Sequence, residues 1–241
     1  MSHSPNPCVP HANPPIGAVG LSVVVPVLNE AGGMVALLRQ LAPLRARGVE
    51  LLVIDGGSED DTVALCAGLV DAVLRSARGR ARQMNLGASR AQGEVLLFLH
   101  ADTVLPPDAD TLLKNALAAG AQWGRFDVRI SGSSPMFRLI AALMNRRSRW
   151  TGIATGDQAL FVRRALFERL GGFPDQPLME DIEMSRRLRA VAAPACLRQR
   201  VTTSGRRWEE HGVWRTIALM WLLRWRYWRG TPAEQLSRSY P

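Results

Sequence analysis

Lysine is almost absent from this chain of 241 residues. Lys114 is the only one, so nearly all of the 30 basic residues are arginine, set against 21 acids for a formal net charge of +9. A planar guanidinium can pair with two oxygens at once, and a basic balance turns a protein toward nucleotides, nucleic acid or anionic lipid. A genome rich in arginine codons accounts equally well for arginines scattered over the surface. Cysteine is scarce too. Cys8, Cys66 and Cys196 are odd in number and far apart, which excludes a disulfide framework or a zinc spacing and fits a reducing compartment. No stretch reaches the roughly 18 consecutive apolar residues of a membrane-crossing helix. The largely apolar run 16–28 has no Lys or Arg before it, and Pro26 and Asn29-Glu30 follow where a leader needs a small-residue cleavage site. It reads as a strand. There is no G-x-G-x-x-G after that strand, which argues against a nicotinamide-dependent dehydrogenase. Internal repeats are missing, as is any linker inside 21–230.

What is present is an alternation. "LSVVVPV" (21–27) is uniformly apolar and β-branched, the pattern of a strand covered on both faces. Asn29 is placed to cap a following helix whose Met34, Leu37, Leu38 and Leu41 share one face. "VELLVID" (49–55) is a second buried strand. The stretch 56–69 predicts a turn and then a helix, with Ser58 and Asp60 as caps. A short strand at 71–76, a helix over 80–92, a fourth strand "EVLLFLH" (94–100) and a helix over 108–119 follow. Short links between such elements predict a mainly parallel, doubly wound α/β sheet with helices on both faces. After Gly120 the rhythm loosens. A half-exposed strand (122–130), a helix (135–147), a short strand with helix and turn (156–173), a helix with acids in its first turn (179–190) and a last strand and loop (193–208) complete this half.

In doubly wound sheets ligands bind beyond the carboxyl ends of the strands. The first, second and fourth strands end on Asn29-Glu30, Asp55 and His100-Ala101-Asp102. Three polar endings on one rim predict a site. Taken singly, Asn29 is as well explained as a helix cap and Asp55 with Gly56-Gly57 as a turn. Arg80 and Gln83, three apart, share a helical face.

The stretches "VVVPVLNE" (23–30), "VIDGGSEDDT" (53–62), "GRARQMNLGASRAQGEVLLFLHADT" (79–103), "GDQALFVRR" (156–164), "GGFPDQPLMEDIEMSRRLR" (171–189) and "SGRRW" (204–208) resemble, in order, the motifs of family 2 glycosyltransferases. The resemblance implies the GT-A fold and transfer of a sugar from a UDP- or GDP-sugar to an acceptor hydroxyl, inverting and non-processive, by a transferase of hexosyl type. It implies that Pro26, Asn29, Glu30, Asp55 and Gly57 frame the nucleobase, with Arg80 and Gln83 near ribose and diphosphate. The family's Asp-x-Asp metal motif stands here as His100-Ala101-Asp102. Asp102 inherits the ligand to Mn²⁺ or Mg²⁺, and His100 in place of the first Asp puts metal dependence in question. Asp181 would be the general base, flanked by Glu180. Gly156, Asp157, Arg207 and Trp208 would line the sugar and acceptor, and His211 would complete a metal site. Ser204 replaces the Gln of a motif marked in processive synthases, which favours transfer of single sugars. The alternatives are a nucleotidyltransferase making sugar nucleotides, disfavoured because "PVLNEAGG" lacks a basic Gly-rich loop, and a non-enzymatic basic protein binding membrane or nucleic acid.

These readings divide the chain into a flexible segment 1–20, a GT-A domain 21–208 and a C-terminal amphipathic helix within 209–241. That helix carries Trp214, Trp221, Trp225 and Trp228 interleaved with arginines. It either packs its tryptophans on the domain or lies on an anionic membrane surface, and the second case makes a lipid-linked acceptor reasonable. The expected setting is cytoplasmic, at most peripheral to the membrane, with no nucleic-acid partner.

Overall fold

Strand β1 (Leu21–Val27) is buried along its whole length, and its alternation shows why. Val23, Val25 and Val27 join one hydrophobic cluster with Met34, Leu37, Leu38 and Leu41 of helix α1 (Ala31–Ala46). Val24 points to the opposite cluster, with Ala81, Met84 and Ala88 of helix α2 (Arg80–Arg90). Helix α2 comes so close that a Cβ on Gly87 would lie 2.3 Å from Val24 Cγ1. The computed structural model describes residues 20–239, with the side chains of Arg207 and His211 outside the description. The expected flexible segment therefore falls almost wholly outside the described residues.

The remaining strands are β2 (Glu50–Asp55), β3 (Ala72–Arg75), β4 (Val95–Phe98), β5 (Thr103–Val104), β6 (Trp123–Ser131), β7 (Phe161–Arg163) and β8 (Ala195–Ser204). They form one sheet in the order β3-β2-β1-β4-β7-β6-β8-β5. The first four are parallel, with Val27 opposite Asp55 and Val24 opposite Phe98. Beyond β4 the sheet is mixed: β7 runs antiparallel to both β4 and β6, β8 is parallel to β6, and β5 antiparallel to β8. Helices α1, α3 (Ala109–Ala118) and α4 (Met136–Thr151) supply one cluster. Helices α2, α5 (Arg164–Arg169) and α6 (Glu180–Val191) supply the other. This is the α/β sheet with two covered faces that the sequence predicts.

Helix α4 is tied to β6 by a buried ionic knot. Arg125, fully buried, donates to Asp127, and Arg149 reaches the same carboxylate through two bonds of 3.0 and 2.8 Å. Asn145 closes the joint by bonding both the N–H and the carbonyl of Val128.

Several local expectations are corrected. The helix expected in 56–69 shrinks to a single 3₁₀ turn, Ala64–Cys66. Its intended caps are spent on another loop: Ser58 Oγ accepts the N–H of Asn29, and Asp60 accepts the N–H of Ala31 at the start of α1. Asn29, with φ +54, caps nothing on α1 and instead accepts the N–H of Glu59. The two loops are stitched together, each holding the other's backbone. The segment read as loop after β8 contains helix α7 (Arg206–His211). Helices α8 (Val213–Trp228) and α9 (Ala233–Ser237) follow. In α8, Thr216, Met220 and Leu223 face inward while Trp214, Trp221, Trp225 and Trp228 are 56–81% exposed. The tryptophans do not pack on the domain.

Candidate active site

A cleft of about 230 Å³ opens at the carboxyl ends of the parallel strands. Its floor comes from Pro26 of β1 and from His100, Ala101 and Asp102, which follow β4. One side is Arg80 at the first position of α2 and Glu30 before α1; the other is Thr203 and Ser204 at the end of β8. Glu180 and Asp181, at the start of α6, close the back, and Met220 and Arg224 of α8 form a further wall. Of the residues expected to act together, Pro26, Glu30, Arg80, His100, Asp102, Gly156, Asp157, Glu180, Asp181 and Trp208 all border this one space.

Asp181 is positioned from two directions. Its Oδ2 accepts the N–H of Gly156 at 2.8 Å and its Oδ1 the N–H of Ile182 at 2.7 Å. Met179, the residue before α6, adopts φ +67, a left-handed backbone costly for a side chain with a Cβ. Packing against Leu223 of α8 and Leu236 of α9 holds it there. The C-terminal helices thus help to aim the catalytic candidates. His100 Nδ1 lies 3.5 Å from Asp157 Oδ1, and its ring rests against Gly156, where a Cβ would sit 2.3 Å from Cε1 and Nε2. Gly156 therefore serves the imidazole and Asp181 together.

Burial dominates the electrostatics. Glu180, only 5% exposed, has its carboxyl pushed above the usual range by desolvation and then by Asp181, against the pull of Arg80 and His100. The Glu30 carboxyl is also raised, first by burial and next by the charge of Asp102. Among the described residues, no group of three or more His, Cys, Asp or Glu side chains converges to hold a metal ion by itself.

Four expected residues stand outside the lining. Asp55 is wholly buried at the end of β2, and its carboxylate accepts the N–H groups of Gly57 and Ser58, so it builds the turn. Gln83 is buried and donates to the carbonyls of Val27 and Ile54, tying β1 to β2. Gly56 lacks a Cβ for the sake of Gln83, whose amide would lie 3.1 Å from one. Gly57 (φ +97) serves the turn, and Asn29 the loop stitching. Arg207 and His211 lie in α7, with side chains outside the described residues. Arg206 borders the cleft. The sequence reading overlooked Arg206, Thr155, Met220 and Arg224. For α8 the signal was there in the four-residue spacing of Thr216, Met220 and Arg224, a row that runs along one side of the helix.

The model of the family described as "Glycosyl transferase family 2" matches residues 22–171. The chain belongs to that family. It is a glycosyltransferase, which sets aside the nucleotidyltransferase and non-enzymatic alternatives. An uncharacterized glycosyltransferase of Mycobacterium tuberculosis is 30% identical over 196 residues, covering 74% of this chain and 72% of the relative. An undecaprenyl-phosphate 4-deoxy-4-formamido-L-arabinose transferase of Klebsiella pneumoniae is 32% identical over 167 residues, 62% of this chain and 49% of its own length. Among solved structures, Staphylococcus aureus TarS aligns with a TM-score of 0.58 at 18% identity, covering 77% of this chain and 60% of that one. The mannosyltransferase PcManGT of Pyrobaculum calidifontis, solved with GDP-Man and Mn²⁺, aligns with 0.57 at 22% identity, covering 76% and 56%. This glycosyltransferase spans less than two thirds of either solved chain, and at such identities the likeness speaks for the fold.

Proposed function

We propose that this glycosyltransferase moves a single sugar from a UDP- or GDP-sugar to an acceptor hydroxyl with inversion at the anomeric carbon. The observation that carries the reading is the placing of Asp181. Its carboxylate is fixed by the Gly156 and Ile182 N–H groups, and it borders the same cleft as Arg80, His100 and Asp102. The donor's diphosphate would lie toward Arg80 and Asp102, leaving the anomeric carbon between it and Asp181. Asp181 would take the acceptor's proton as its oxygen attacks, a contribution on the order of 10²–10⁴ in rate. Arg80 would hold the departing diphosphate by charge-assisted hydrogen bonds.

Asp102 would be the carboxylate ligand of a divalent cation, with substrate phosphates supplying further oxygens. Mg²⁺ is commonly held by only one or two carboxylates in this way, and the Glu30–Asp102 crowding fits such an ion. Bound there, the cation would offset charge on the leaving diphosphate. His100 would bond the donor from the strand end.

The acceptor side supports a lipid-linked substrate. No helix among the described residues is long and apolar enough to cross a membrane. Helix α8 nevertheless turns Trp214, Trp221, Trp225 and Trp228 outward, and α4 exposes Leu139, Leu143 and Trp150 as well. Aromatic rings with Arg215 and Arg229 among them suit an anionic membrane surface. The Klebsiella relative is named for an undecaprenyl-phosphate substrate.

A thermal-shift panel of UDP-, GDP- and dTDP-sugars, with and without Mn²⁺, tests the donor, because a ligand that binds only the folded state raises the melting point. Asp102→Ala should lose most of the shift, and Asp181→Ala should keep the shift but lose turnover. Full turnover in Asp181→Ala would remove it as base.

A further inference from the structure

Two arginines have no role in that reading: Arg224, which lines the cleft, and Arg147, which feels the charges of Arg224 and Asp181. Arg147 comes from α4 and Arg224 from α8. Nε and Nη2 of Arg147 and Nε of Arg224 are buried without any hydrogen-bond partner. Among the described residues, no salt bridge reaches either side chain. Desolvation lowers both, Arg147 to about 10 with the charge of Arg224 as the next cause. Both stay ionised at neutral pH, since a guanidinium does not give up its proton there. Buried polar groups are nearly always bonded, and a buried charge left alone is costly. Asp181 acts on both arginines through space, and Asp157 on Arg224. The third arginine of this region, Arg125, is already matched to Asp127.

Positive charge thus gathers around two groups of acids near the cleft, with Arg206 joining Arg80 in acting on Glu30. Arg80 acts on Glu180 and Glu30 at the donor side, whereas Arg147 and Arg224 act on Asp181. We propose that Arg147 and Arg224 form a subsite for a phosphate monoester carried by the acceptor, next to the hydroxyl that Asp181 deprotonates. The proposal rests on Asp181 as the acceptor's base. Paired guanidinium forks match tetrahedral oxyanions, and two full charges match a monoester, which carries about −1.5 to −2 near pH 7. The phosphate replaces the missing hydrogen-bond partners and anchors the acceptor by its end, while the sugar-accepting oxygen stays free.

The test uses the full chain saturated with UDP and Mn²⁺, so that the donor side is filled. Calorimetric titration with glycerol phosphate is one arm. Binding to phosphatidylcholine vesicles with and without phosphatidic acid is the other, and the arms separate a soluble ester from a lipid headgroup. We expect saturable binding in at least one arm, weakened tenfold or more by Arg224→Gln and by Arg147→Gln with UDP binding retained. The apo variants should melt no lower than the wild type, because an unpartnered buried charge has been removed; a merely structural arginine would lower the melting point. Arg147→Met and Arg224→Met, which drop the charge and keep much of the volume, serve where a Gln variant does not fold. Absence of binding in both arms, or wild-type binding in the variants, overturns the subsite. If UDP itself does not bind, the donor reading fails separately, and the titration without nucleotide, with its dependence on Arg224, still decides the subsite.

Discussion

The imidazole of His100 occupies the place a Cβ on residue 156 would need, with Cε1 and Nε2 both 2.3 Å from it. Gly156 is thus required by its neighbour rather than by its backbone angles. The same residue donates its N–H to Asp181 at 2.8 Å, so the strand-end histidine and the base at the helix start share one small hinge.

Gly156→Ala should therefore push the His100 ring aside and shift Asp181. A misplacement near 1 Å costs on the order of 10²-fold in rate, and the melting point should move little, since the change lies at the cleft surface. Steady-state kinetics beside a melting curve checks this. Unchanged kcat would show that neither contact matters to turnover.

Glu180 predicts a pH effect on stability. Burial and Asp181 raise its carboxyl in the folded protein above the ordinary 4.5, so the fold retains a proton that the unfolded chain gives up. The stability from this group is present in full below pH 4.5 and is lost as pH climbs through the folded-state value. Glu180→Gln stays neutral, so its stability advantage over the wild type should grow upward from that pH and then level off. Denaturant melts across the range measure it. A difference constant with pH would mean that Glu180 does not titrate differently on folding.

The Arg125–Asp127–Arg149 knot should be costly to cut. Asp127→Ala leaves Arg125, fully buried, without its counter-charge, and such a break typically costs about 3–5 kcal/mol. Urea unfolding would show it, and a loss below 1 kcal/mol would place the ion pair among the weak ones.

Leu236, fully buried against Met179 and Leu223, offers a separation of site from sheet. Leu236→Ala should loosen the docking of α8 and α9 by about 2–5 kcal/mol and reduce turnover. Amide exchange in β1, β2 and β4 should stay slow, as expected of a locally opening unit. Exchange rising equally in all strands would contradict a local effect.

The parallel half was legible because burial on both faces leaves a plain mark. Val23, Val24 and Val25 are all apolar since each faces a helix. The strand endings were legible as polar interruptions, yet their roles were not. Asp55 and Gln83 have the chemistry to bind a nucleotide, and whether they instead bond Gly57, Ser58, Val27 and Ile54 depends on contacts formed only after folding. The missing helix in 56–69 has the same origin, for Asp60 divides its carboxylate between the local N–H of Thr62 and the distant N–H of Ala31. Two-residue β5 has no periodicity to read. Nothing in the sequence marked Arg147, and Arg224 read only as one of the arginines among the tryptophans, because arginine is everywhere in this chain and a lack of partners is decided by folding.

Every strand of the sheet is complete by Ser204, while Met179 is gripped by side chains as far along as Leu236. During synthesis the sheet can close before α8 and α9 leave the ribosome. Until they arrive, the backbone that aims Asp181 has nothing to keep it in its unfavourable shape. Competence for catalysis in this sense waits on residues made well after the sheet is complete.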